Sequence, residues 1–414
     1  MKNQRLKILI VSQYFWPENF GINQLASDLV EKGVTVEVLT GMPNYPKGVF
    51  LNGYGGIKWK IHTWQNIKIF RVPIIPRGDS NNYLQLSLNY CSFIISGIIF
   101  SPFLLRHRKY DLIFVYGVSP IFQSLVAFWV GMIKKNLVIL WVQDLWPDSV
   151  VATGAISSKF LFKLLQYAVR FCYQRSSLIL MQSRGFLGSI EKLSFRKKIY
   201  FFPNSIDKSF FVGADKSPIK ISSLKTGFTV LFAGNIGSAQ AIEIILKAAF
   251  KLRNYKEIKF VFLGEGSRLN WLKKEILRLQ LKNVHYEGVY PITKMPKILR
   301  QASILLVSLR NKEIFNLTIP NKIQAYLAVG KPIVGSINGE GAKLIKGAGA
   351  GIAVPAEDAD ALAKAIVYMY KLPSKKLNIM GENGRRYFKM HFDSNLLTNK
   401  LLNYFKLLKK YKSQ

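Results

Sequence analysis

Cysteine, histidine and acidic side chains are scarce in this 414-residue chain, and each scarcity removes a class of explanation. The 2 cysteines, Cys91 and Cys172, lie in apolar sequence with no C-x-x-C pair. That excludes a disulfide framework and a zinc ribbon, and makes a reducing cytosol the natural compartment. The 4 histidines, His62, His107, His285 and His391, show no H-x-x-x-H spacing, so no metal centre is expected. Low-complexity tracts and short-period repeats are absent, as are zinc-finger spacing, an RNP-like aromatic motif and a helix-turn-helix signature. Only 23 Asp and Glu oppose 59 Lys and Arg, a formal net charge of +36 that repels itself unless anionic partners are near. The basic residues are dispersed rather than gathered in one block, which argues against nucleic acid and leaves an anionic membrane surface as the expected partner. The N-terminal apolar run, Leu6 to Val11, is too short for the core of a secretion signal, so the chain is not expected to be secreted.

What the chain has is one grammar written twice: short apolar runs, each followed by a turn bearing Gly, Asn or Asp and then by a helical stretch. In the first half the runs are KILIVSQYF (7 to 15), VEVLT (36 to 40), IKIFRVPII (67 to 75), YDLIFVYG (110 to 117), LVILWVQD (137 to 144) and SSLILMQS (176 to 183). In the second they are FTVLFAGN (228 to 235), IKFVFLGEG (258 to 266), VHYEGVY (284 to 290), ASILLVSL (302 to 309), KPIVGSI (331 to 337) and GAGIAVP (349 to 355). Short, β-rich runs without alternation are strands buried on both faces, so the expected fold is α/β: two doubly wound Rossmann-like domains facing a central cleft. Chain length fits two domains of roughly 200 residues. The stretch from Asn204 to Thr226, which mixes Asp, Ser, Gly, Pro and Lys without an apolar period, places the boundary near 205/206.

One segment breaks the pattern. Residues 83 to 105, YLQLSLNYCSFIISGIIFSPFLL, carry no charge, are followed by RHRK, and are long enough to span a bilayer. They also contain Gln85, Asn89, several serines and Pro102, and they lie between strands of one sheet. A buried helix, a helix in the membrane interface and a span all remain open. The basic, aromatic stretch 159 to 175 poses a similar choice, with a core helix as its plainer reading.

Several turns have the composition of an anion site. After the first strand of the second half come Gly234, Asn235 and Gly237, with a helix expected from about Gln240; a glycine turn into a helix start offers free N–H groups and a positive dipole end to a phosphate. After the next strand, Gly264 and Gly266 precede a helix with Arg268 on its first turn, where a guanidinium can grip a diphosphate. Asn338, Gly339, Glu340 and Gly341 form a third turn at a helix start. Lys322, just after Pro320, opens a further helix against the dipole preference, a conflict that a bound anion would remove. In the first half Asp144 ends a strand, after Gln143 and before LWPDS with Asp148; Asp144 is placed to accept a proton or hold sugar hydroxyls, and Asp148 to do likewise or to begin a helix. Glu18, Asn19 and Gly21 lie in the loop after the first strand and would face the same cleft. Asp358 and Asp360 spell D-x-D, but after VPAE and before a helix they read as N-capping.

Taken together, FAGNIGSAQAIEIILKAA, FLGEGSRLNWL, HYEGVYPITKMPKIL and IPNKIQAYLAVGKPIVGSINGEGAKLIKGAGAGIAVPAED resemble the donor domain of family 4 glycosyltransferases with the GT-B fold. SQYFWPENFGIN and WVQDLWPDS extend the resemblance over nearly the whole chain, toward the branch called WbuB-like. The resemblance implies retaining, metal-independent transfer from a nucleotide sugar, with no cofactor beyond that donor. The nucleotide would bind the C-terminal domain, 206 to 394, and the acceptor the N-terminal domain, 1 to 205, onto which a final helix at about 395 to 414 returns. The branch implies transfer of an L-fucosamine-type sugar (L-FucNAc), expected here from a UDP donor to a polyisoprenoid-diphosphate-linked saccharide in O-antigen (lipopolysaccharide) or capsule assembly; transfer from another UDP- or GDP-sugar to another acceptor, and a non-catalytic nucleotide-sugar-binding subunit, are the alternatives. It implies a cytoplasmic enzyme held peripherally at the inner face of the cell membrane. By position, Gly234, Asn235 and Gly237 would approach the diphosphate, with Arg268 and Lys322 supplying charge. The loop His285 to Tyr290, with Gly288 in it, would border the base, and Asn338 to Gly341 would flank the sugar or phosphate. Two glutamates of many relatives are replaced here by Leu317 and Ala325, so the ribose contact is not carried over; where many place a histidine, this chain has Gln143 and Asp144.

Overall fold

The computed structural model describes residues 5 to 412 other than 80–81, 153–157, 196, 207 and 209–220, so most of the expected crossover between Asn204 and Thr226 lies outside the described residues. The chain divides into two compact units, Met1–Pro203 with Ser394–Gln414, and Asn204–Asp393.

The first unit carries β1 (Lys7–Val11), β2 (Thr35–Gly41), β3 (Lys60–Trp64), β4 (Ile67–Val72), β5 (Leu112–Gly117), β6 (Leu137–Val142), β7 (Leu178–Met181) and β8 (Ile199–Phe201). They form one sheet in the order β3-β4-β2-β1-β5-β6-β7-β8, parallel except for the β3–β4 pair. All six expected runs are strands. The two unforeseen strands are edges: β3 alternates half-buried with exposed residues, and β8 has only 3 residues. The order reverses between β1 and β5, the place where open α/β sheets receive ligands at their strand C-termini. The helix Ser394–Lys412 lays Leu397, Leu401, Phe405 and Leu408, one helical stripe, into this unit's core beside Ile8, Ile10 and Phe114. Burying those four side chains contributes roughly 6–12 kcal/mol before the cost of ordering the helix. Lys409 to Asp111, at 2.7 Å, adds an ion pair.

The charge-free segment is the helix Tyr83–Leu104, capped by the Asn82 side chain, which accepts from the Gln85 N–H at 3.1 Å. Its inner row, Asn89, Phe93, Gly97 and Ser101, is buried on the unit. Gly97 is needed there, since a Cβ would sit 2.7 Å from the Val126 methyls of the helix Ser124–Lys134. Its outer row leaves Leu84, Leu88, Ile95, Ile99 and Phe103 exposed. The helix is long and apolar enough to cross a membrane, yet one side belongs to the unit's own packing. The helix Lys159–Arg175 is likewise two-faced, burying Val169, Cys172 and Tyr173 and exposing Phe160, Leu164, Tyr167 and Phe171.

The second unit carries β9 (Phe228–Ala233), β10 (Ile258–Leu263), β11 (Val284–Tyr286), β12 (Ile304–Ser308), β13 (Ile333–Ser336) and β14 (Gly351–Val354), all parallel in the order β11-β10-β9-β12-β13-β14. The strands β9, β10 and β12 are buried nearly throughout, which is why they read as unbroken apolar runs. The helix expected from Gln240 starts instead at Ile242: a single 3₁₀ turn, Ser238–Gln240, comes first, and Ala241 adopts a left-handed φ of 45° that interrupts the helix. Asp358 caps the helix Ala359–Lys371 by accepting from the Ala361 N–H at 2.8 Å, as its context indicated.

Candidate functional site

In the second unit the turns leaving β9, β10 and β11 are layered on one another at the C-terminal edge of the sheet. The Gly234 N–H donates to the Leu263 carbonyl at 2.9 Å, Ile236 N–H to Glu265 at 2.8 Å, and Arg268 N–H to Ile236 at 2.9 Å. Gly264 N–H donates to Gly288 at 2.8 Å, and the Tyr286 hydroxyl to the Gly264 carbonyl at 3.0 Å. This closeness demands glycine at 264, where φ is +126° and a Cβ would lie 2.0 Å from the Gly234 oxygen. The Gly237 N–H is taken by Gln240 Oε1 at 3.1 Å. Asn235 lies between them, its side chain beside Gly237 and Gly266.

Lys322 enters this layer from the first turn of the helix Asn321–Val329. Its stem is partly exposed but its Nζ is buried, with no hydrogen-bond partner among the described residues. The ammonium rests 3.9 Å from the Phe232 ring centroid and 3.4 Å from where a Cβ on Gly234 would be. Burial holds its pKa down from 10.5 to about 7. The helix is anchored by Tyr326, whose hydroxyl accepts from the Ala233 N–H at 3.2 Å at the end of β9. Tyr326 escaped notice in the sequence because it lies inside an apolar helix, QAYLAV, where a tyrosine reads as core.

Arg268 holds the N-cap position of the helix Leu269–Arg278 and stacks on Trp271 at 4.0 Å. Asn338 precedes the helix Gly339–Gly347, donating to Asn311 Oδ1 at 3.0 Å and accepting from the Ala356 N–H at 3.1 Å. Gly339 lies against the Asn316 carbonyl, Glu340 pairs with Lys343 at 2.9 Å, and Gly341 is packed by Ile337. Leu317 ends the short helix Glu313–Leu317, and Ala325 is half-buried one turn after Lys322. A second unforeseen residue, Arg310, ties the β9 turn down through the Ser238 carbonyl at 2.6 Å, Glu243 at 2.5 Å and Glu357 at 3.2 Å.

In the first unit, β6 stops at Val142, so Asp144, expected at the strand's end, lies two residues beyond it in the following bend. Burial pushes its carboxyl above the usual aspartate range, opposed by the Ser149 hydroxyl and the Leu145 N–H. The Gln143 N–H is bonded to the Gly117 carbonyl at 3.0 Å, while its buried side-chain Nε2 has no partner among the described residues. Asp148 is exposed in the first turn of the helix Asp148–Ala152. Glu18 is only 2% exposed, and its carboxylate joins two loops: Oε1 accepts from the Asn44 and Tyr45 N–H groups, both at 2.8 Å, and Oε2 from Phe15 at 3.3 Å. Burial pushes this carboxyl up to about 7 against those three bonds and the Arg71 charge. Asn19 is exposed, and Gly21 opens the helix Gly21–Glu31 beside the Tyr116 hydroxyl. Among the described residues no group of three or more His, Cys, Asp or Glu is placed to hold a metal.

Residues 227–371 match the family described as "Glycosyl transferases group 1". WbjE of Pseudomonas aeruginosa, named as a glycosyltransferase, is 27% identical over 301 residues, covering 70% of this chain and 73% of that protein. WcaI of Escherichia coli (strain K12), named for colanic acid biosynthesis as a glycosyl transferase, is 26% identical over 344 residues, covering 78% and 82%. Among solved structures, sucrose-phosphate synthase from Thermosynechococcus elongatus superposes with a TM-score of 0.71 at 15% identity, covering 99% of this chain and 100% of that one. Anabaena Alr3699/HepE, solved in complex with UDP and glucose, gives 0.68 at 15%, covering 97% and 100%. The fold is therefore GT-B, residues 227–371 carry a glycosyl transferases group 1 domain, and the chain is a glycosyltransferase.

Proposed function

We propose that the second unit binds the diphosphate of a nucleotide-sugar donor, and that the observation carrying this reading is the buried, unpartnered Lys322 ammonium beside the Gly234 turn. A buried charge without a counter-charge is unfavourable, and a diphosphate on Lys322 supplies one. Arg268, at the mouth of the neighbouring turn, adds a second cation. In a retaining transfer the glycosidic C–O bond to the diphosphate breaks as the acceptor oxygen bonds to the same face of the sugar. The acceptor proton passes to the departing phosphate oxygen, and Lys322 and Arg268 stabilise the charge that grows there. Asp144, whose carboxyl burial pushes above the usual aspartate range, orients a sugar hydroxyl. Positive charge from side chains is sufficient for this chemistry, so the reading is metal-independent.

The donor in this reading is a UDP-sugar with an N-acetylated aminosugar, L-FucNAc first, and the acceptor a polyisoprenoid-diphosphate-linked saccharide of O-antigen or capsule assembly. The names of WbjE and WcaI, the UDP complex of the Anabaena protein and the signatures at 12 to 23 and 141 to 149 support it. The exposed apolar rows of Tyr83–Leu104 and Lys159–Arg175, with the net charge of +36, support attachment to the inner face of an anionic membrane. The test is incubation of the purified protein with lipid-diphosphate-linked N-acetylglucosamine in mixed micelles, with EDTA, against a panel of UDP- and GDP-sugars, the lipid product being read by mass spectrometry. A mass increment with one UDP-aminosugar is expected. A product only with GDP-sugars, or only after a divalent cation is added, overturns the donor assignment or the metal independence.

A further inference from the structure

In the first unit a cation stands among aromatic rings at the edge where the strand order reverses, and the chemistry above does not use it. Arg77 lies in the segment between β4 and the helix Tyr83–Leu104. Its Nη1 donates to the Tyr14 hydroxyl at 3.0 Å and its guanidinium lies over the Tyr45 ring at 5.5 Å. The Tyr90 hydroxyl faces it as well. Among the described residues no carboxylate pairs with it; of the acids that act on its tyrosine partners, Glu18, beside Tyr14, has its oxygens on three backbone amides, and Asp144 acts on Tyr90.

The cluster is built rather than incidental. Tyr14 stacks on Phe20 with centroids 5.0 Å apart and planes 10° from parallel, and Tyr45 packs on both, at 5.8 and 5.1 Å. The backbone around Arg77 is pinned from two sides: its own N–H donates to Asn44 Oδ1 at 2.8 Å, and Asn89 Nδ2 reaches the Ile75 carbonyl at 2.6 Å. Asn89 is in turn held by Gln13 Nε2 at 2.7 Å. The guanidinium is thus held in place before any ligand arrives, while Tyr45 remains 37% exposed. A planar cation with only neutral partners keeps most of its donors for an incoming oxyanion, and a phosphate matches its fork. An exposed ring beside it offers the apolar surface against which a sugar packs.

We infer that Arg77 with the Tyr14, Phe20 and Tyr45 rings forms a phosphate-and-sugar subsite of the first unit, holding an acceptor's phosphate on the guanidinium and the adjoining saccharide on Tyr45. The identity of that ligand as the acceptor rests on the function proposed above; the subsite rests on the geometry. The test is equilibrium binding to the full-length protein, without donor, of a short-chain prenyl-diphosphate-linked N-acetylglucosamine and of the same prenyl saccharide lacking the diphosphate. Wild type is expected to prefer the diphosphate form. Arg77→Gln is expected to weaken that form about 10- to 100-fold and leave the phosphate-free form unchanged. Arg77→Lys, which keeps the charge but not the fork, should recover part of the loss, and unchanged UDP affinity with an unchanged melting curve excludes misfolding. Equal binding of the two forms by wild type, or wild-type affinity in Arg77→Gln, overturns the subsite. Inorganic pyrophosphate displacing the prenyl compound at equal concentration makes this a free-phosphate site and overturns the acceptor assignment. Because no transfer is measured, an Arg77-dependent preference stands even if every nucleotide sugar fails as donor.

Discussion

Substituting Lys322 with Met keeps the length of the side chain, removes the buried ammonium, and is expected to move stability and ligand binding in opposite directions. The lysine pKa falls from 10.5 to about 7 through burial, so the folded protein resists the charged form. At 1.36 kcal/mol per unit this corresponds to about 4–5 kcal/mol at pH 7 and below. The sign follows from proton counting: between about 7 and 10.5 the unfolded chain holds a proton that the folded one has lost. Stability therefore rises with pH across that window, and the penalty is fully present below 7. Water reaching the partly exposed stem relieves some of it, and a gain of about 2 kcal/mol in Lys322→Met, roughly 4–8 °C for a unit of this size, is the expected change in the ligand-free protein.

Binding of UDP should do the reverse. A diphosphate beside Nζ restores the charged form, so binding takes up close to one proton above pH 7, where UDP itself is fully ionised. Affinity is then expected to fall by up to tenfold per pH unit between about 7.5 and 9 in the wild type. Lys322→Met should bind about 10- to 100-fold more weakly at pH 7 and show no such slope. Isothermal titration in buffers of different ionisation heat reads the proton uptake directly, and thermal melting reads the stability. A wild-type UDP affinity that does not change with pH, or a Met variant that binds as tightly as wild type, would refute the placement of the diphosphate on Lys322.

Two further outcomes are expected. Gly264→Ala places a Cβ 2.0 Å from the Gly234 oxygen at a φ of +126°, so the two turns must separate. A loss of roughly 1–3 kcal/mol in urea unfolding and at least tenfold weaker UDP binding should follow, and an unaffected UDP affinity would show that the layered turns do not form the donor site. The double substitution Leu88→Glu and Ile99→Glu on the exposed row of Tyr83–Leu104 should lower cosedimentation with phosphatidylglycerol-rich vesicles several-fold with the melting temperature unchanged, while wild-type binding weakens with added salt. Wild-type sedimentation of that variant would remove this helix from the membrane face.

The parts of the molecule that sequence made legible are those decided by neighbours along the chain. β9 reads as a strand because FTVLFA is buried on both faces, and Lys322 drew notice because a lysine in a first helical turn opposes the dipole. β3 and β8 were missed because an edge strand carries only half the apolar signal and a three-residue strand carries almost none. Arg77 was missed for a different reason: its partner Tyr14 is 63 residues away, and nothing in PIIPRGD says which ring it will meet. Glu18 was seen as a loop acid open to the cleft, whereas its oxygens are engaged by amides 26 and 27 residues further on.

Those long-range contacts also account for how a chain so rich in cations arranges its few acids. Glu18 and Asp144, at the C-terminal edge of the first sheet, are both pushed up by burial, Glu18 to about 7. Glu37, buried toward the opposite end of β2 from Gly41, is matched by Lys7 at 3.0 Å and Arg108 at 3.2 Å. The cations differ: among the described residues Lys322 Nζ has no hydrogen-bond partner, only the Phe232 ring beneath it, and the Arg77 guanidinium meets only tyrosines. Desolvation opposes the charge of the acids near the ligand-binding edges, against the backbone bonds that favour it, while the Lys322 ammonium is left without a counter-charge at a cost in stability. That asymmetry suits ligands that bring several negative charges with them, as a diphosphate donor and a diphosphate-linked acceptor both would.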